Sequence, residues 1–126
     1  MTFENLGLAA DLLKAVEQTG YTTPTPVQVQ AIPAAIAGHD LLVSSHTGSG
    51  KTAAFTLPAL NRIIDRRPTQ GSGPRILVLT PTRELAQQVE KAVQTYGKAL
   101  RWLNTACLVG GAPMFAQIKQ LQRQCD

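Results

Sequence analysis

The stretch Ser45-His46-Thr47-Gly48-Ser49-Gly50-Lys51-Thr52 limits what this chain can become more than any other. An apolar run, Leu41-Leu42-Val43, precedes it, and an alanine- and leucine-rich segment follows. Strand, glycine-rich turn and helix, in that order, is the context in which such a stretch wraps a phosphate. Gly48 and Gly50 let the backbone curl so that successive N–H groups face an anion. The helix beginning beyond them aims the positive end of its dipole at the same point. Lys51 reaches the β- and γ-phosphates of a nucleotide, and the Thr52 hydroxyl can ligate Mg²⁺. One position departs from the usual pattern, which has glycine where this chain has Ser45. The competing reading is a solvated turn between a strand and a helix.

The chain has 126 residues, of which 44% are hydrophobic, enough for one globular domain and too apolar for a disordered segment. Lys and Arg outnumber Asp and Glu by 12 to 8, a net charge of +4 that permits a nucleic-acid partner without requiring one. Cys107 and Cys125 have no metal-ligand or disulfide-framework spacing, which suits a reducing compartment; Cys107, in an apolar run, reads as a buried small hydrophobe. The N-terminus lacks a basic-then-apolar leader, and no apolar run is long enough to cross a bilayer. The expectation is a soluble, cytoplasmic protein with no membrane partner.

Apolar residues at helical spacing predict a helix over Leu8 to Thr19, stopped by Gly20. Thr25 is placed to cap a second helix, with Pro26 at its first position and Gln28 at the capping-box position. Pro33 should kink or restart that helix, and Gly38 should end it. Leu41 to Ser44, Ile76 to Leu79 and Thr105 to Val109 read as three strands, apolar without alternation as in a parallel sheet covered on both faces. Helices are expected from Lys51 to Arg66 with a bend at Pro58, from Pro81-Thr82-Arg83-Glu84 to Tyr96, and from Pro113 to Gln122. Arg66 to Pro74 reads as a turn-rich connection. The predicted class is α/β, a parallel sheet with flanking helices. Ligands of such folds gather beyond the C-terminal strand ends, where the glycine loop, residues 81–84 and Gly110-Gly111 should all open.

Several stretches, in order, resemble the DEAD-box RNA helicase family. Gly20-Tyr21 with Pro24-Thr25-Pro26-Val27-Gln28 is similar to its adenine-reading Q motif, and residues 45–52 to its motif I. Pro81-Thr82-Arg83-Glu84-Leu85-Ala86 is similar to motif Ia, and Gly110-Gly111 to the paired-glycine motif. Phe3 stands upstream where that family has an isolated aromatic, and the short opening resembles the RhlE-like bacterial branch. The resemblance implies a RecA-like P-loop NTPase fold, with residues 1–126 as the N-terminal portion of the first such domain. It implies ATP or ADP with Mg²⁺ as cofactors, and RNA held by sequence-independent contacts at Pro81, Thr82, Arg83, Glu84, Gly110 and Gly111. The nucleotide site would comprise Phe3, Tyr21, Thr23, Gln28, Ser45, His46, Thr47, Gly48, Ser49, Gly50, Lys51 and Thr52, the last two catalytic and Thr52 on Mg²⁺.

Residue chemistry leaves alternatives beside these roles. The Gln28 amide can pair with adenine N6 and N7, or serve only as the capping partner of Thr25. Tyr21 can stack on a base or join the core. Phe3 packs behind such a pocket more readily than it touches the nucleotide. Thr23 stands where the family often has a basic residue, so a contact to the base or ribose is in question. His46 is a solvated loop side chain on the bland reading. Arg83 can hold an RNA phosphate or make a surface ion pair, and the glycine pair can admit a sugar-phosphate strand or simply turn.

No Asp-Glu-Ala-Asp or Ser-Ala-Thr sequence occurs in the 126 residues. The expectation is therefore a truncated domain whose parent uses ATP to unwind or remodel RNA duplexes, while this portion binds adenine nucleotide without hydrolysis. Its strands would expose unpaired edges and favour self-association. The alternatives are a non-enzymatic adenine-nucleotide-binding module and another P-loop ATPase acting on DNA.

Overall fold

The computed structural model describes residues 1–48, 50–66 and 73–126. Five helices are described: α1 (Ala10–Gln18), α2 (Pro26–Ile36), α3 (Lys51–Ile63), α4 (Arg83–Tyr96) and α5 (Met114–Gln122), preceded by a 3-10 turn at Phe3–Leu6. The boundaries follow local chemistry. Thr25 caps α2, Pro26 sits at its start, and the Gln28 side chain completes the capping box. Thr82 caps α4 by accepting from the Leu85 N–H at 3.2 Å. Both α2 and α3 run on as single elements through Pro33 and Pro58.

The core is helical. Leu12 and Val16 of α1, Ile32 of α2, and Leu57 and Leu60 of α3 are almost wholly buried together. Phe3, Leu6 and Leu8 belong to the same cluster, and Tyr96 and Leu100 join from α4 and beyond. Asn61 of α3 accepts from the Ala9 N–H at 2.8 Å, tying the start of α1 to this layer. Burial raises the Tyr96 phenol above its ordinary value, and the nearby Tyr21 adds to the effect.

The expected parallel sheet is not formed among the described residues, none of which is in a strand. Strand pairing needs the edges of two strands side by side, and here backbone groups of the second and third runs find other partners. The Arg75 and Ile76 N–H groups both donate to the Asp126 carbonyl at 2.8 Å, and the Asp126 N–H donates to the Asn104 carbonyl at 2.9 Å. Beyond that bridge, the Cys107 and Val109 N–H groups donate to the side chains of Gln120 and Gln117 in α5, at 3.2 and 2.7 Å. Side-chain amides thus stand where a neighbouring strand would. Leu42, Leu77 and Leu79 consequently remain exposed.

Asp126 is the centre of this region. Its carboxylate, 1% exposed, pairs with Arg75 at 2.6 Å and accepts from the Asn104 N–H at 3.1 Å. The Arg75 guanidinium also lies 5.2 Å from the Trp102 ring centroid. An apolar cleft of about 360 Å³ opens beside the clamp, lined by Phe55, Ile76, Val78, Val89 and Leu108 among others. Cys125 is buried and Cys107 only half-buried, the reverse of the sequence expectation for Cys107; both are free. Burial pushes the Cys107 thiol up from its ordinary value, and Glu90 pushes it further.

Candidate nucleotide and RNA site

The glycine loop leads directly into α3. Gly48 and Gly50 have φ values of +83° and +87°, the left-handed conformation that turns the backbone into the helix. Gly50 is the N-cap residue and offers no side chain, so the first N–H groups of α3 have no side-chain cap. Such a helix start favours an anion. Lys51 is exposed, Thr52 half-buried, and His46 and Thr47 exposed. The Lys51 ammonium folds back to donate to the Ser45 carbonyl at 2.5 Å. An ammonium has three donors, so two remain for a phosphate oxygen while that bond is kept. Ser49 lies outside the described residues.

Gln28 joins the loop to the segment before α2. It is buried, 4% exposed. Its Oε1 accepts from the Thr25 N–H at 3.0 Å, and its Nε2 donates to the Gly50 carbonyl at 3.1 Å. A Cβ added at Gly50 would lie 2.3 Å from that Nε2, so glycine is required there for space as well as for φ. The capping role of Gln28 is therefore realised, together with a link to the loop that sequence spacing does not reveal. Tyr21 is 55% exposed, and Thr23 is exposed. Phe3 is buried in the core, where it packs and presents almost no surface to a ligand.

A second cluster forms at the start of α4. Pro81, Thr82, Arg83 and Glu84 are exposed, as are Gly110 and Gly111. The Arg83 guanidinium donates to the Gly110 carbonyl. Gly111 has φ +83°, and a Cβ there would meet Arg83 Nη2 at 2.6 Å. The two predicted RNA-contacting stretches, remote in sequence, are thus joined through Arg83. Gln117 holds the same loop from α5, accepting from the Val109 N–H and donating to the Ala112 carbonyl at 3.3 Å. Sequence reasoning missed Gln117, a polar residue on an amphipathic helix with no local signal of what it touches.

No group of three or more His, Cys, Asp or Glu side chains among the described residues could hold a metal ion. A Mg²⁺ here would rest on nucleotide phosphates, with the half-buried Thr52 at the loop's end the fitting protein oxygen. No helix among the described residues is long and apolar enough to cross a membrane.

The chain is similar to known proteins over nearly its whole length. The DEAD/DEAH box helicase family model matches residues 25–126. The chain is 43% identical over 125 residues to the pre-mRNA-processing ATP-dependent RNA helicase PRP5 of Mycosarcoma maydis, covering 98% of this chain and 11% of that protein. It is 44% identical over 122 residues to the ATP-dependent RNA helicase DeaD of Klebsiella pneumoniae, covering 97% of this chain and 18% of that one. Among solved structures, the RNA helicase Prp28 of Chaetomium thermophilum bound to ADP matches with a TM-score of 0.82 at 39% identity, over 95% of this chain and 30% of that chain. A DEAD box protein of Methanococcus jannaschii matches with a TM-score of 0.84 at 34% identity, over 96% of this chain and 32% of that chain. The chain spans a quarter or less of the length of these curated relatives. Its overall fold is that of the RecA-like domains of DEAD-box helicases. By the family model, the relatives and the loop geometry together, the chain belongs to the DEAD/DEAH box helicase family.

Proposed function

We propose that the chain is the N-terminal portion of an ATP-dependent RNA helicase's first RecA-like domain, binding an adenine nucleotide at the glycine loop and RNA at the Arg83 cluster. The observation that carries this reading is the left-handed Gly48–Gly50 turn feeding Lys51 and the uncapped start of α3, tied by Gln28 to the Q-motif segment. In this reading the α3 N–H groups and Lys51 bind the β- and γ-phosphates, and Thr52 supplies an oxygen to Mg²⁺. Mg²⁺ would neutralise phosphate charge. Tyr21 stacks on the base, while Ser45, His46, Thr47 and Ser49 shape the loop. Gln28 positions the loop through Gly50 and has one amide hydrogen left for the base. Thr23 and Phe3 are peripheral to the ligand. The ADP of the Chaetomium helicase structure supports the choice of nucleotide.

Unwinding or remodelling of RNA duplexes belongs to the whole protein. The 126 residues contain no Asp-Glu-Ala-Asp sequence, so binding without turnover is proposed for them alone. Residues 41–44, 76–79 and 105–109 are proposed to become parallel strands when neighbouring strands supply their edges. Self-association through the same edges is proposed for the isolated chain, and concentration-independent monomers by light scattering would refute it. The free cysteines suit the proposed cytoplasmic location.

Titration of a fluorescent ADP analogue tests the site. Lys51→Ala should weaken binding at least tenfold, and Gln28→Ala several-fold. Unchanged affinity in both would reject the assignment.

A further inference from the structure

Two apolar features of the chain have no partner among the described residues. One is the cleft of about 360 Å³ between the second and third apolar runs, walled by Phe55 of α3 and Val89 of α4. Leu77, Leu79 and Leu108 line it and are exposed. The other is the first run, Leu41-Leu42-Val43, whose side chains are exposed and lie outside the cleft. The backbone groups of Leu41, Leu42 and Val43 make no hydrogen bond to a described residue, nor do those of Leu77, Val78 and Leu79.

The third run has one covered edge and one open edge. The Asn104 N–H and carbonyl, just before it, both bond to Asp126, which lines the cleft. The Cys107 and Val109 N–H groups bond instead to Gln120 and Gln117 of α5, and neither glutamine lines the cleft. In a strand, backbone groups of alternate residues point to opposite edges, and even- and odd-numbered residues divide that way here. Glutamines three apart share one helix face, so α5 covers two N–H groups of the outer edge and shields it from other chains. The Ala106 and Leu108 N–H groups, on the cleft side, have no hydrogen-bond partner among the described residues.

We propose that the cleft is a docking site for a second copy of this chain, and that residues 41–44 of that copy are the segment it takes. This rests on the self-association reading given above and says which surfaces meet. Insert and slot match in chemistry: an apolar run without alternation suits a site walled by apolar side chains, and each side brings unpaired N–H and carbonyl groups. They match in length, since residues 41–44 and 76–79 each span about 13 Å when extended. The two surfaces are different parts of one chain, so the contact is head to tail and growth continues past the dimer. A four-residue insert buries less than the roughly 1,200 Å² of a standard interface, so association is weak, reversible and set by concentration.

Sedimentation equilibrium of the full 126-residue chain over a concentration series tests this. Leu42→Asp disables the insert, and Leu77→Asp disables the slot, with Leu79→Asp as a second slot variant. All three residues are exposed, so the core is untouched, and circular dichroism confirms the fold. The wild type should grow beyond dimers as concentration rises, and each variant alone should associate about tenfold or more weakly. A mixture of Leu42→Asp with Leu77→Asp retains one working interface, the intact insert of one in the intact slot of the other. It should form a 1:1 dimer that grows no further. Wild-type association in Leu42→Asp would overturn the role of residues 41–44, and wild-type association in both slot variants would overturn that of the cleft. Variants that stay monomeric when mixed would overturn the head-to-tail contact. A wild type that is monomeric at every concentration would instead reject the self-association reading, and the inference with it.

Discussion

Removing the Gln28 side chain should loosen two elements at once. Gln28→Ala deletes the bond from the Thr25 N–H at 3.0 Å and the bond to the Gly50 carbonyl at 3.1 Å. Each such bond contributes about 0.5–1.5 kcal/mol net. The buried stem adds about 0.8 kcal/mol for a lost methylene. The Gly50 carbonyl keeps the Ala54 N–H at 3.1 Å, so it is not left unpaired. The expected loss of stability is about 2–4 kcal/mol. Gly50→Ala carries its own cost of about 1–3 kcal/mol for a left-handed alanine, plus the clash of its Cβ with Gln28 Nε2. In the double variant the clash with the amide is absent and only the backbone cost remains. Urea unfolding followed by far-UV circular dichroism would measure the cycle. The double variant should be more stable than the sum of single effects predicts, by about 1 kcal/mol or more. Additivity within about 0.5 kcal/mol would refute the contact between Gln28 and Gly50.

Three further outcomes are expected. Asp126→Ala should cost about 1–3 kcal/mol by unpairing Arg75 and the Asn104 N–H, and an unchanged urea midpoint would refute the clamp. The Tyr96 phenol is raised above 10.0 by burial first and Tyr21 second, so the unfolded chain loses that proton earlier as pH rises. Stability should be complete below the ordinary phenol value and fall above it, and Tyr96→Phe should flatten the fall in alkaline urea titrations. Cys107, raised by burial and then by Glu90, should react with iodoacetamide more slowly than a free thiol near neutral pH; Glu90→Gln should speed the reaction, and an equal rate in both proteins would refute the coupling.

The helices were legible because their signals are local. Thr25, Pro26 and Gln28 announce α2 within four residues, and the apolar spacing of Val89, Val93 and Tyr96 announces α4. The three apolar runs read as strands, yet none of their residues is in a strand, because pairing is not encoded locally. Whether Ile76 donates to a strand or to the carbonyl of Asp126 depends on what the fold brings alongside. The candidate site divides in the same way. Spacing showed the glycine loop and its place before α3, and the structure puts Gly50 at that helix's N-cap. The Gln28–Gly50 bond, the Arg83–Gly110 contact and the bracketing by Gln117 join residues 22, 27 and 8 positions apart, and no periodicity encodes them.

The chain contains a single tryptophan, Trp102, and it is the ring beneath the Arg75 guanidinium. The same ring packs against the helical core, so its emission reports on the join between that core and the Arg75–Asp126 clamp, whereas the far-ultraviolet signal reports on the helices themselves. The protein thus carries two optical probes of different reach. Melting curves that coincide would mean that clamp and core unfold as one cooperative unit. A fluorescence change that comes first would identify the clamp and the segments it joins as a separately opening part, with its own, lower stability.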